Sequence, residues 1–309
     1  MWDEEVDVVC TGSGIAGLAH AVAVVDMGGE VFVAGSRGDS EPTGSSVAVR
    51  SRVDRLHWLE VDVPDPETNE YFAALSSDLG PLTRSARDVD VPIRAVDHAE
   101  PVDPRGAVPP FVGGRLRDWA ARCLVSPYGY LYTRVSDWPS TTMRTVDGES
   151  LEVAEIGSIT PDPANIGGSV LDWLTAQARD RRIEVHQATS LRRIVFEDGD
   201  VVGAEFATPD GPLAVRARHG VTVASGGPQV TMAAGQPLPA DDTLRICLVG
   251  QTASRFGRVE LLTSEPLAMR ATSTCRPVDH HLPANLRETY SRLQTWRCGK
   301  VDGYPSPGQ

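Results

Sequence analysis

The sequence contains few cysteines and no long hydrophobic segment. Five cysteines are scattered over 309 residues without any C-x-x-C spacing, which excludes a disulfide-stapled scaffold and indicates a reducing, cytoplasmic location. No apolar run approaches the roughly 20 residues that a membrane-spanning helix requires. The acidic start, residues 1–5, lacks the basic region that opens a secretory signal peptide. We therefore expect neither a membrane span nor secretion.

The chain is also poor in positive charge and in common hydrolase motifs. Its net charge of −13 argues against nucleic acid or an anionic membrane as the main partner, because both bind a cationic surface. The motifs G-x-S-x-G and H-E-x-x-H and the P-loop do not occur, which excludes the commonest hydrolases and NTPases. A composition with 41% hydrophobic and 23% charged residues is typical of soluble globular domains.

The clearest local pattern lies at residues 6–37, VDVVCTGSGIAGLAHAVAVVDMGGEVFVAGSR. An apolar strand at 6–10 is followed by a glycine turn, by an alanine-rich helix to about residue 26 and by a second strand at 31–34. This order predicts a βαβ unit whose turn presents backbone N–H groups, together with the positive end of the helix dipole, to a pyrophosphate.

Each glycine of this turn has a predicted role. Gly12 permits the tight turn, Gly14 allows the backbone to approach the phosphates, and Gly17 lets the helix pack closely on the strand. A glycine turn can also serve packing alone, but the strand before it and the helix after it favour a dinucleotide site. The predicted contact residues here are Gly12, Ser13, Gly14, Ala16 and Gly17.

The end of the second strand departs from the usual dinucleotide pattern. An Asp or Glu normally binds the ribose hydroxyls there, whereas this chain has Gly35, followed by Ser36 and Arg37. Asp39 or Glu41 could replace the missing acid. Alternatively, a small residue followed by a hydroxyl and a guanidinium suits the 2′-phosphate of NADP.

The second half of the chain predicts a further ordered block. A helix at 167–181 precedes short strands at 183–186 and 191–196, then strands at 201–206 and 213–218 joined by Asp-Gly turns. A final apolar strand at 221–224 ends in the glycine-containing run Ala224, Ser225, Gly226 and Gly227. Residues of about 60–150 are expected to form a more irregular insertion. Within it, Tyr128, Tyr130 and Tyr132 alternate at strand period.

On these two blocks the chain resembles the FAD-binding domain of the fumarate reductase and 3-ketosteroid dehydrogenase flavoproteins. The resemblance rests on GSGIAG at the first turn and on RRIVFEDGDVVGAEF with VTVASGG in the second block. It implies an α/β, Rossmann-like domain of the glutathione-reductase type with a β-meander, and FAD as cofactor. It also implies that 224–227 return beside the pyrophosphate turn, and that a loop carrying Gly44, Ser45 and Ser46 lies near the flavin.

Two departures from the family shape the expected organisation. Gly35 weakens the predicted adenosine contact, and residues 228–309 lack the cap and the glycine-rich closing segment of the family. We expect an FAD-binding domain at 1–227 and a C-terminal extension at 228–309 that is suited to binding a partner. The family's catalytic residues cannot be placed by motif, so the catalytic residues are unassigned.

The C-terminal extension contains side chains that could bind a ligand. Cys275, Asp279, His280, His281 and Cys298 lack the paired spacing of zinc sites, so no metal site is predicted. Arg270, Arg276 and His280 would suit an anionic substrate, but a solvated loop with ordinary ion pairs is the favoured explanation.

The sequence therefore predicts a cytoplasmic FAD-dependent oxidoreductase that acts on C–C or C=C bonds, either alone or as one subunit of a heteromer. The expected substrate is a small molecule, anionic or steroid-like or acyl-like, and a protein partner would complete the active site. Two alternatives remain open: a non-catalytic subunit that kept the fold as an interaction scaffold, and an NADP-binding reductase.

Overall fold

The computed structural model describes residues 1–35, 50–53, 63–80, 82–85, 91–98, 112–134, 139–224 and 243–264, with the backbone alone at 50–53, 83–85 and 112. These residues belong to one folding unit, Met1–Leu267. No helix among them is long and apolar enough to cross a membrane.

Strands and helices mix along the described chain. The helices are α1 (Ile15–Asp26), α2 (Pro66–Ser76), α3 (Val112–Val125) and α4 (Ile166–Asp180). The strands are β1 (Glu4–Cys10), β2 (Val31–Ala34), β3 (Arg50–Val53), β4 (Leu82–Ser85), β5 (Ile93–His98), β6 (Gly129–Tyr132), β7 (Thr141–Thr145), β8 (Ser150–Ile159), β9 (Val185–His186), β10 (Ser190–Glu197), β11 (Asp200–Thr208), β12 (Gly211–Ala224), β13 (Leu244–Gly250) and β14 (Phe256–Thr263).

Twelve of these strands form one mixed sheet in the order β13-β8-β7-β5-β14-β6-β12-β1-β2-β9, with β11 also paired to β12 and β10 to β11. β1 is parallel to β2 and to β12, and β2 is parallel to β9. β10, β11 and β12 are successively antiparallel. The four parallel strands align their carboxyl ends at one edge, where open α/β sheets bind their ligands.

Helices cover both faces of this sheet. The alternation of side chains along β1 directs Val8 and Cys10 to the face that carries α1, whereas Val9 contributes to the core with α2 and α3. α1 packs on α4, and its small residues are completely buried, as at Ala19 and Ala21. The alanine-rich composition of α1 thus lets the helix lie close to the sheet.

Three elements differ from the sequence-based expectation. The strands expected at 213–218 and 221–224 form one strand, β12, in which Gly220 has a φ of +133° at an irregularity of the β1–β12 pairing. The ten-residue strand β8 was not anticipated. Residues 244–263, which the sequence places in the C-terminal extension, form the hairpin β13–β14 and pair with β8, β5 and β6 of the main sheet.

Candidate functional site

The turn between β1 and α1 is built so tightly that Gly17 has no room for a side chain. A Cβ atom at Gly17 would lie 1.7 Å from the carbonyl oxygen of Gly12, whereas ordinary contacts begin at 3.4 Å. The first turn of α1 therefore packs directly on the backbone of the glycine turn. This contact fixes the position of the amino end of α1 relative to β1.

The backbone donors at the amino end of α1 are not capped by a side chain. Gly14 is its N-cap, no side chain caps the helix, and the first turn contains no acidic residue. The first intrahelical bond runs from Leu18 N to Gly14 O at 2.9 Å, so the N–H groups of residues 15–17 have no partner within the helix. Together with the helix dipole, they form a site that favours an anion such as a pyrophosphate.

The carboxyl end of β12 lies beside this turn. Cys10 is paired with Thr222 across the parallel strands, and Thr11 N donates to Thr222 O at 2.9 Å. Further on, a Cβ atom at Gly12 would lie 3.3 Å from the Cβ of Ala224. The two sequence blocks that carry the family resemblance therefore meet in space at Gly12 and Ala224.

Several predicted site residues fall outside the described part of the chain. These are Ser36, Gly44, Ser45, Ser46, Ser225, Gly226 and Gly227, together with Arg37, Asp39 and Glu41 and the candidate ligands at 270–298. Ser13, Gly14 and Ala16 are described and lie in the turn or the first helical turn. Binding of a cofactor by any of these residues remains a prediction. Among the described residues, no group of three metal-capable side chains comes together.

Gly35 has a structural reason to be glycine. Its N–H donates to His186 O at 2.9 Å and its carbonyl accepts from Thr189 N at 3.0 Å, so the backbone after β9 lies directly against it. A Cβ atom at this position would lie 2.9 Å from Cγ1 of Val185. An acidic side chain at position 35 would therefore require the residues around β9 to move.

A cavity of about 600 Å³, which the sequence did not reveal, lies beside α1. Its walls include His20 of α1, Tyr130 and Tyr132 of β6, and Glu152 and Arg255, but no residue of the glycine turn 11–17. Its donors and acceptors come from segments far apart in sequence, which explains why no local motif marks it. The cavity is distinct from the predicted pyrophosphate site.

His20 is a buried, neutral histidine in the wall of this cavity. Burial lowers its pKa to about 4, and Nδ1 lies 3.1 Å from Ala16 O, so Nδ1 carries the proton. The rings of His20 and Tyr130 meet edge to face with 4.1 Å between centroids. Tyr132 donates its hydroxyl to His219 O at 2.6 Å. Both tyrosines of β6 are thus buried.

A buried ionic cluster joins α3 to the sheet. Arg94 donates to both oxygens of Glu260 at 2.6 and 2.7 Å, and Arg258 donates to the same carboxylate at 2.6 Å. The Glu260 side chain is completely buried. Trp119 donates to Phe256 O at 2.7 Å and lies beneath the guanidinium groups of Arg94 and Arg258. The cluster is well paired internally, which indicates a structural role.

Comparison with known protein families supports the interpretation of this chain as a flavoprotein. Residues 112–246 match the family described as "FAD binding domain", a region that contains β12 and Ala224 but not the glycine turn. No curated protein matches the chain significantly.

Several solved structures are similar to the chain at low identity. An open-conformation flavocytochrome c3 fumarate reductase is 16% identical, with 70% of this chain and 33% of that chain covered and a TM-score of 0.29. A 3-ketosteroid-Δ4-(5α)-dehydrogenase from Rhodococcus jostii RHA1 is 18% identical, with 72% and 46% covered and a TM-score of 0.29. A geranylgeranyl bacteriochlorophyll reductase-like protein from Thermoplasma acidophilum is 11% identical, with 83% and 56% covered and a TM-score of 0.28.

The chain thus spans between about a third and just over a half of the length of these proteins. Since such TM-scores do not establish a common fold, the assignment rests on the family match. That match confirms the resemblance to FAD-binding flavoprotein domains and supports FAD as the cofactor.

Proposed function

We propose that this chain is an FAD-dependent oxidoreductase in which the β1–α1 turn and the end of β12 hold the pyrophosphate of FAD. The observation that carries the proposal is the close packing of Gly17 on Gly12 with Ala224 alongside. At the adjoining amino end of α1, no side chain caps the helix and the N–H groups of residues 15–17 have no partner within it. A helix end of this kind binds the diphosphate of a nucleotide.

Individual residues have distinct tasks in this proposal. The backbone N–H groups of residues 15–17 donate to phosphate oxygens, and the dipole of α1 stabilises their negative charge. Gly12 and Gly14 keep side chains away from the diphosphate. Bound FAD supplies hydride chemistry, while the protein supplies orientation and electrostatics.

The finer part of the proposal concerns the reaction. The resemblance in the GSGIAG and VTVASGG blocks supports hydride transfer between the flavin and a carbon of a C–C or C=C bond, as in fumarate reductases and ketosteroid dehydrogenases. The substrate would be a small anionic, steroid-like or acyl-like molecule. A protein partner that completes the substrate region is part of this proposal, and so is a cytoplasmic location.

Binding of FAD is tested by the absorption spectrum of the purified protein and by titration with FAD, FMN and NADP. We expect flavin bands, or saturable FAD binding with near-unit stoichiometry, and weaker binding of FMN because it lacks the adenosine diphosphate moiety. A colourless protein that ignores FAD would contradict the proposal and support the non-catalytic alternative. Binding of NADP alone would support the reductase alternative.

The reaction class is tested by reducing the bound flavin anaerobically and adding fumarate, an enone steroid or an enoyl ester in turn. Reoxidation by one of these acceptors is the expected result. Reoxidation only by oxygen or artificial dyes would contradict the C=C assignment without contradicting FAD binding. Copurification of a second polypeptide with the flavin-loaded chain tests whether the chain is one subunit of a heteromer.

A further inference from the structure

The space next to Gly35 is occupied by the side chain of a residue from another strand. β2 and β9 are parallel, with Val33 paired to Val185 and Ala34 to His186, so Gly35 and Gln187 leave their strands side by side. A Cβ atom at Gly35 would lie 3.4 Å from both Nε2 and Oε1 of Gln187. The amide of Gln187 thus lies in van der Waals contact with the position from which a side chain at residue 35 would begin.

The backbone around Gln187 holds this arrangement in place. Ala188 adopts a positive φ of 57°, which turns the chain sharply after β9. Thr189, which is buried, donates its N–H to Gly35 O at 3.0 Å and its hydroxyl to Gln187 O at 3.2 Å. These bonds tie the loop after β9 to the end of β2.

The side chain of Gln187 is available for a ligand. The residue is exposed, and within the described part of the chain its side-chain amide makes no hydrogen bond. A primary amide offers two N–H donors and one carbonyl acceptor. It can therefore accept from a ribose hydroxyl or donate to one, although it carries no charge.

We propose that Gln187 makes the adenosine ribose contact that an acidic residue at the end of the second strand makes in other dinucleotide sites. The location fits, because that acid projects from the carboxyl end of β2 towards the ribose, and Gln187 reaches the same place from β9. This inference rests on the proposed FAD function. It also explains how Gly35 is compatible with adenosine binding.

The proposal is tested on the full chain by a double-mutant cycle in which one change is made in the protein and the other in the ligand. ADP and 2′-deoxy-ADP compete with FAD for the wild-type protein, for Gln187→Ala and for Gln187→Glu, and flavin fluorescence reports the displacement. Glu184→Ala, which removes a neighbouring exposed side chain, serves as the matched control. Thermal unfolding of each variant checks that the fold is retained.

We expect wild type to prefer ADP over 2′-deoxy-ADP by about 2- to 12-fold, the value of one neutral hydrogen bond. Gln187→Ala should lose this preference and bind FAD more weakly by the same factor. Gln187→Glu should keep the preference, because a carboxylate also accepts from the hydroxyl, and Glu184→Ala should match wild type.

The outcomes separate the two claims. If wild type binds FAD and Gln187→Ala keeps both its affinity and its 2′-hydroxyl preference, the role of Gln187 is overturned while the proposed function stands. If wild type binds neither FAD nor ADP, both are overturned.

Discussion

Replacing Gly17 with alanine should displace the amino end of α1 from the glycine turn. The added Cβ would lie 1.7 Å from Gly12 O and 2.8 Å from Gly12 C, and both atoms belong to the backbone. Because ordinary contact begins at 3.4 Å, one side must move by roughly 1.7 Å, the difference between these distances. We expect a loss of about 1–3 kcal/mol in the free energy of unfolding, as for other overpacked sites.

The same displacement should weaken FAD binding. Hydrogen bonds from N–H to oxygen span about 2.7–3.2 Å, so a shift of this size breaks at least one bond to the diphosphate. A hydrogen bond to a charged group contributes about 1.5–3 kcal/mol, which corresponds to a Kd about 10- to 150-fold higher. Fluorescence titration with FAD measures this change, and urea denaturation measures the stability.

Gly114→Ala is the matched control for this prediction. Gly114 also lies early in a helix, α3, but nothing lies within 4 Å of the position that its Cβ would occupy. This variant should bind FAD like wild type and gain about 0.5–1 kcal/mol in stability from the better helix propensity of alanine. Wild-type FAD affinity in Gly17→Ala would refute the placement of the diphosphate at this turn.

Three further predictions concern residues around the site and the core. Gly35→Glu should lower the free energy of unfolding by about 1–3 kcal/mol, because the added Cβ would be too close to Val185. The same variant should not bind FAD more tightly than wild type. Tighter binding in the titration would show that the site tolerates the acid. Burial lowers the pKa of His20 to about 4, whereas the ordinary value of 6.5 applies in the unfolded chain. Between these two pH values the unfolded state binds more protons than the folded state. Through this group, the free energy of unfolding of the wild type should therefore fall by about 2–3 kcal/mol from pH 7 to pH 4.5. His20→Gln should lack this part of the fall in urea denaturation, and an identical pH profile would contradict the buried neutral ring. Glu260→Gln should cost about 3–5 kcal/mol in the same assay, since it removes the buried counter-charge of Arg258 and leaves Arg94 paired with Glu149 alone. A loss below 1 kcal/mol would contradict that pairing.

The parts of the fold that the sequence predicts are those coded by local patterns. The second strand has the bounds predicted for it, Val31–Ala34, and α1 ends at Asp26 as expected. Both predictions rest on local features of the sequence, namely the apolar run of the strand, the alanine content of the helix and the glycines that follow it. The N-cap of α2 is equally local, with Asp65 accepting from Thr68 N at 2.8 Å. Such features depend on residues that are neighbours in the sequence.

The features that escaped prediction depend on contacts between distant residues. Arg94 and Glu260 are 166 positions apart, and no pattern around either residue reveals the pair. The sequence pattern separates strands at 213–218 and 221–224, whereas Gly220 between them has a positive φ at an irregularity inside the single strand β12. Gly35 looked like the loss of a ligand residue, but the sequence gives no sign that Val185 lies against it.

The central claim, that the amino end of α1 binds the diphosphate, is tested most directly by NMR of the backbone amides during titration with ADP. We expect the largest shifts at Ile15, Ala16 and Gly17, with the amide of Gly114 unchanged. Shifts that are absent from residues 12–17 and concentrated instead at the cavity around Tyr130 and Arg255 would contradict it.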